Sequence, residues 1–251
     1  MADDSMRNYQ ADPDLLKDRV ILVTGAGDGI GRAVAKSFAD HGATLVLLGK
    51  SVKKLESLYD EIEAAGNPTP GIYPMNLLGA NLEDYLELAK RLEETYGRLD
   101  GLLHNAGILG SRTPIAQYDE EEWQRVMHVN LTAPFVMTKA CLPLLLKSED
   151  ASLVFTSSGV GRKGRAHWGA YGVSKFGTEG LMETLADELS NKDNIRVNCI
   201  NPGATRTKMR AAAYPGEDPE QLPAPEDILG PYLFLFGPES RDITGKSFDA
   251  Q

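Results

Sequence analysis

Short unbroken apolar runs alternate along this chain with longer segments whose apolar residues recur every three to four positions. Val20–Thr24 is β-branched and apolar and stops at Gly25; Ala43–Leu48, Leu99–His104, Ser152–Ser157 and Ile195–Ile200 read the same way. Gly71–Leu77 predicts a further strand and Lys246–Ala250 a last short one. Between them the spacing predicts helices over Ile30–Asp40, Lys53–Ala65, Leu82–Tyr96, Glu121–Leu146 and Tyr171–Ser190. Continuous rather than alternating apolar strands belong to a sheet covered on both faces. Strand–helix alternation requires parallel order with right-handed crossovers. The expected fold is a single α/β domain: a three-layer, doubly wound parallel sheet of about seven strands.

Two stretches stand outside the alternation. Residues 1–18 are polar, with Asp3, Asp4, Asp12, Asp14 and Asp18, and read as a flexible tail ahead of a domain over 19–251. Lys208–Asp227 is rich in alanine, proline and acids, and an irregular segment of that length is usually a functional lid. Ala211–Tyr214 allows a short apolar helix there, and Pro215, Pro219, Pro223 and Pro225 break anything longer.

Charge narrows the function. The 251 residues carry 26 Lys+Arg against 36 Asp+Glu, a net −10, which argues against a grip on nucleic acid or an anionic membrane. The longest uncharged apolar stretch, Ile228–Pro238, falls short of the ~20 residues that cross a bilayer. Cys141 and Cys199 have no CxxC spacing, so neither a disulfide scaffold nor a cysteine-rich metal site is expected. With no basic-then-apolar signal pattern near residue 1, the expected compartment is the cytoplasm.

Directly after the first strand stands Thr24-Gly25-Ala26-Gly27-Asp28-Gly29-Ile30-Gly31, followed by a helix. Glycines there allow a tight turn and let the backbone approach a pyrophosphate, whose charge sits on the helix N-terminus. That context predicts a dinucleotide cofactor in a Rossmann-type fold. The adenine ribose is read at the end of the second strand, where an acid selects NAD. Here the sequence is Leu48-Gly49-Lys50-Ser51, with no carboxylate and a lysine instead, which favours the 2′-phosphate of NADP. Asp28, an acid inside the glycine loop, weighs the other way.

Tyr171 and Lys175 are four residues apart on a predicted helix and share a face. A phenol of pKa about 10 is a poor acid or base at neutral pH; a neighbouring ammonium lowers that pKa toward a useful range. Ser158, thirteen residues upstream and just past a strand, supplies a hydroxyl beside the phenol. Asn130 lies on the inward stripe of its helix, and Pro134 withholds the N–H its carbonyl would otherwise receive, leaving an acceptor for water.

Together with Asn105-Ala106-Gly107 and Asn201-Pro202-Gly203, these motifs resemble the short-chain dehydrogenase/reductase family, in its short single-domain branch. The resemblance covers roughly Asp18 to Gln251 and implies an NAD(P)-dependent carbonyl reductase or alcohol dehydrogenase. It implies Tyr171 as acid/base, Lys175 tuning it and holding the ribose, and Ser158 orienting the carbonyl. Asn130 would serve a proton relay from Lys175 to solvent. It further implies cofactor contacts at Gly25, Asp28, Gly29, Ile30, Gly31, Lys50, Asn105, Ala106, Gly107, Pro202, Gly203 and Thr205, with Thr207 at the nicotinamide amide. Asn76-Leu77 stands where the family carries an aspartate for the adenine amine, and His104 where an asparagine is usual; His104 reads as structural. A homodimer or homotetramer is implied too, supported by surplus apolar residues Phe135, Met137, Leu181, Met182 and Leu185.

The expected partner is a small carbonyl or alcohol substrate. Arg162, Lys163 and Arg165, with Arg206, Lys208 and Arg210, read first as a solvated basic loop and, in the alternative, as a positive mouth for an anionic substrate or carrier such as an acyl thioester. A catalytically silent NADP-binding sensor or scaffold is the competing reading, against which stands the joint presence of Ser158, Tyr171 and Lys175.

Overall fold

The computed structural model describes residues 4–251, so Met1–Asp3 of the expected tail lie outside the described residues. The chain runs α1 (Asp4–Arg7), β1 (Val20–Thr24), α2 (Gly29–Asp40), β2 (Thr44–Gly49), α3 (Val52–Ala64), β3 (Gly71–Pro74), α4 (Leu82–Tyr96) and β4 (Gly101–His104). It continues through α5 (Glu120–Met127), α6 (Ala133–Leu145), β5 (Ala151–Thr156), α7 (Gly169–Glu188), β6 (Ile195–Asn201), α8 (Lys208–Ala213), α9 (Gly230–Phe236) and β7 (Lys246–Asp249). Among the described residues seven strands form one sheet, in the order β3-β2-β1-β4-β5-β6-β7. Every neighbouring pair is parallel.

Successive side chains of a strand face opposite ways, and here each way is a core. Ile21 and Val23 join Phe38 of α2, Leu55 and Leu58 of α3 and Phe236 of α9. Leu22, between them, joins Tyr85 and Leu88 of α4, Met137 of α6 and Met182 of α7. Burial on both faces is why the strands read as continuous apolar runs. Met137 and Met182 are fully covered here and so are not surplus; Phe135 remains exposed.

Three further expectations are corrected. Packing replaces the loose tail over residues 4–18: α1 contacts α9, Met6 and Leu16 enter the core, and Leu16 N–H donates to the His41 carbonyl at 2.9 Å. The third strand ends at Pro74, three residues early, and Asn76-Leu77 lie in a turn closed by Gly79 N–H to the Asn76 carbonyl at 3.0 Å. The long helix expected over Glu121–Leu146 is two helices joined by a π turn, His128–Thr132. Pro134 has no N–H to give back along the helix, and the ladder widens beside it, with Ala133 N–H reaching the His128 carbonyl.

The N-terminal edge of the sheet is tied by charge. Arg196 of β6 is 1% exposed. It donates to the Gly237 carbonyl at 2.8 Å and pairs with Asp150, which also takes Arg19 at 2.7 Å. Beside them Asp100 accepts from Val20 N–H at 2.8 Å and from the Ser148 hydroxyl at 2.6 Å.

Candidate active site

β1 and β4 are neighbours, yet the helices that follow them lie on opposite faces, so their C-terminal ends part and leave a crevice. A cleft of about 500 Å³ occupies it. Its floor is tied by one hydroxyl: Thr24 Oγ1 accepts from the backbone N–H of Asn105 and of Ala106, each at 3.0 Å. Gly25 takes φ 70°, and a Cβ on it would stand 3.0 Å from the Ala106 Cα. Gly31 is needed for close approach, since a Cβ there would meet the Gly25 carbonyl oxygen at 2.4 Å. The loop therefore lies flat against the sheet end, and the first turn of α2 faces the cleft.

Asp28 caps α2, accepting from Gly29 N–H at 2.9 Å. Its other oxygen pairs with Lys54 and, at 3.2 Å, with Lys208. The Lys54 bond holds this carboxyl below its usual range, with Lys208 adding to it. Two ammonium groups on one carboxylate leave the corner positive, which removes Asp28 as an objection to a phosphate. Lys54 was not singled out from the sequence; the signal was its place in the first turn of the helix that begins just after Lys50. Gly49, Lys50, Ser51, Lys54, Asn76 and Leu77 line this outer end together.

At the inner end, Tyr171 and Lys175 project from one face of α7 into the cleft. Lys175 Nζ lies 5.7 Å from the Tyr171 ring centroid and donates to the Thr156 carbonyl at 2.6 Å. Burial pulls the Lys175 ammonium down to about 8, against the pull of Cys199 and Glu179 upward. Burial also pushes the Tyr171 phenol up to about 12, with its Ser158 hydrogen bond acting the other way. The expected lowering of the phenol is thus not what the site produces. The ring sits in a dry corner and the ammonium is engaged by the Thr156 carbonyl. Ser158 caps the short turn Gly159–Gly161 just beyond β5. Its neighbour Ser157, missed from sequence, lines the cleft with a buried hydroxyl that has no partner among the described residues.

Asn130 is 2% exposed and sits behind the cleft. Its side chain accepts from Ile108 N–H at 2.8 Å and donates to the Ile108 carbonyl at 2.9 Å and to Ser174 Oγ at 3.1 Å. Its carbonyl has Thr178 Oγ1 at 3.4 Å, but that hydroxyl has a closer acceptor, the Ser174 carbonyl at 3.0 Å. His104 is buried against Thr138 Oγ1 at 2.8 Å and stacked on Phe155; burial lowers it to about 3, so it is neutral.

Of the other predicted positions, Gly29, Ile30, Asn105, Ala106, Gly107, Pro202 and Thr207 line the cleft. Gly31, Gly203 and Thr205 do not; Thr205 is buried and bonds the Pro202 carbonyl at 3.1 Å, holding the loop rather than facing the cleft. Four of the six bases considered for a positive mouth are neutralised by acids instead. Arg162 turns to Glu179 and Asp249, Arg206 to Glu220, Lys208 to Asp28 and Arg210 to Glu217. Among the described residues no cluster of three or more metal-ligating side chains occurs, and no helix is long and apolar enough to cross a membrane.

This arrangement has counterparts. The short chain dehydrogenase family model matches residues 19–218. The uncharacterized oxidoreductase YciK of Escherichia coli (strain K12) is 53% identical over 97% of this chain and 96% of its own length. A protein of Pseudomonas syringae solved as a short chain dehydrogenase superposes with TM-score 0.95 at 59% identity, covering 97% of this chain and 98% of that one. One from Shigella flexneri 2a str. 301, solved in complex with NADP, gives TM-score 0.93 at 52% identity, covering 96% of this chain and 100% of that one.

Proposed function

The chain belongs to the short chain dehydrogenase family, and we propose that within it this protein is an NADP(H)-dependent oxidoreductase acting on a carbonyl or alcohol carbon, with Tyr171 as the acid/base. The supporting observation is the polarity of one cleft: Lys50 and Lys54 at its outer end, Tyr171 and Lys175 at its inner end. The glycine cradle and the first turn of α2 fit a pyrophosphate, and the buried Ser157 hydroxyl offers an unused donor beside Tyr171. NADP bound to the Shigella flexneri protein supports the same cofactor here. When bound, the nicotinamide supplies or takes up a hydride.

The chain's own groups move the proton. In the reducing direction Ser158 and Tyr171 both donate hydrogen bonds to the carbonyl oxygen. The phenol, kept protonated by burial, gives up its proton as negative charge grows on that oxygen. The Lys175 ammonium then stabilises the phenolate, and its proton is replaced from solvent. The Asn130 carbonyl, which Pro134 leaves short of a helical donor, is the acceptor that would order water on that route. A panel of ketones and alcohols assayed with NADPH and NADP tests the reading. Turnover by Tyr171→Phe equal to the parent would overturn it.

Exposed Phe135 on α6 and Val173 and Phe176 on α7 support a homodimer or homotetramer across these helices. Light scattering at the mass of a single chain at micromolar concentration would refute that. Cys141 and Cys199 are buried free thiols, in keeping with the cytoplasm as compartment.

A further inference from the structure

The substrate side of Tyr171 holds an arginine that the reaction above leaves unused. Val160, Trp168 and Ala213 form a buried apolar cluster against which Leu109, Tyr171 and Tyr214 pack. Tyr171 belongs both to this cluster and to the cofactor cleft, so the cluster borders the place where a carbonyl must sit. Over it lies Arg112, from the loop after β4. Its Cζ is 4.7 Å from the Trp168 ring centroid and 4.6 Å from that of Tyr214, and Nη1 donates to the Ala213 carbonyl. Two separate segments of chain, at Trp168 and at Ala213–Tyr214, thus hold one guanidinium.

Stacking occupies the faces of a guanidinium and leaves its in-plane N–H donors available. One goes to Ala213. No carboxylate lies within ion-pair distance of Arg112 among the described residues, although Arg162, Arg206, Lys208 and Arg210 around the same mouth are each paired. In a chain of net charge −10, a planar cation that is stacked on two rings, hydrogen-bonded to one carbonyl and left without an acid suits a carboxylate, which it can bind with two parallel hydrogen bonds. A single guanidinium, with the nearby Arg210 already committed to Glu217, matches one negative charge rather than a phosphate dianion. Trp168 stands between Arg112 and Tyr171, its ring 5.6 Å from the Tyr171 ring.

We propose that Arg112 is the carboxylate site of the substrate. The substrate class is a carbonyl or alcohol compound that carries a carboxylate set apart from the reacting carbon. This rests on the assignment of Tyr171 as acid/base. The probes are phenyl-ketone carboxylic acids of increasing chain length, each beside its methyl ester, titrated against the NADP complex by tryptophan fluorescence. At the best length the acid binds at least tenfold more tightly than its ester, and Arg112→Gln brings the two within twofold. Arg112→Lys, which keeps the charge without the planar fork, restores only part of the preference. Acid and ester binding within twofold at every length in the parent protein would overturn the proposal, whether or not the variants fold. So would a preference that persists in Arg112→Gln, which would assign it to Lys163 or Arg165. Because the readout is binding, it is independent of chemistry: failure of the Tyr171 assignment would appear as undiminished turnover by Tyr171→Phe with the acid preference intact.

Discussion

At the N-terminal edge of the sheet Asp150 sits between Arg19 and Arg196, and both guanidiniums meet it within hydrogen-bonding distance. At the C-terminal edge of the same strands Ser157 has a buried hydroxyl with no partner among the described residues, and burial displaces Tyr171 and Lys175 from their ordinary pKa values. Both ends bury polar groups, which costs free energy unless they are paired. One end satisfies them within the chain save for the Arg19 Nε, which has no partner among the described residues. The other keeps them in place through rigid surroundings: Lys175 is held by Thr156, and Asn130 is clamped on both sides of Ile108. We propose that stability is concentrated at the first end and chemistry at the second, and substitutions should separate the two.

The largest separation is expected from Tyr171→Phe. Turnover should drop by roughly 10²–10⁴, while the melting temperature and NADPH affinity stay near those of the parent. A large loss of melting temperature would mean that the C-terminal end carries stability too. The mirror experiment is Asp150→Asn, which leaves two arginines facing a neutral amide. Unfolding in urea should show a loss of about 3–5 kcal/mol, the usual cost of breaking a buried pair, with kcat per folded molecule unchanged.

Acid should find the same weak point. Burial alone would raise the Asp150 carboxyl, but Arg19 and Arg196 outweigh it and hold the folded value below the ordinary one. A depressed folded pKa stabilises above the unfolded value, near 3.9, and that contribution is lost as pH falls through the folded value. Parent stability should therefore decline below about pH 4 more steeply than that of Asp150→Asn. At the other end the sign concerns activity. The free-enzyme Lys175 ammonium, held at about 8, loses its proton as pH rises, so kcat/KM should fall above that value. A profile flat to pH 10 would remove the ammonium from the mechanism.

The smallest effect sharpens cofactor choice. Lys50→Ala should weaken NADPH by about one decade, the scale of one charged hydrogen bond, and leave NADH unchanged. Lys54→Ala should do the same and also free Asp28 to repel the phosphate. Equal losses for both cofactors would show these lysines to be general anchors.

Local spacing alone was enough for the parallel sheet, its buried strands and the pairing of Tyr171 with Lys175, because periodicities of two and of 3.6 residues are properties of the backbone itself. Glycine positions, too, are legible where no side chain fits, as at Gly25 and Gly31. What the sequence could not contain was which charges find each other. Arg162 and Arg206 read either as solvated bases or as a positive mouth and became ion pairs, Asp28 read as an obstacle and was covered by Lys54 and Lys208, and Arg112 went unremarked until Trp168 and Tyr214 closed on it. These pairings join residues 26 to 180 positions apart in the case of Asp28 alone. Backbone geometry acts along the chain, whereas electrostatics acts through space, and only the folded chain sets those distances.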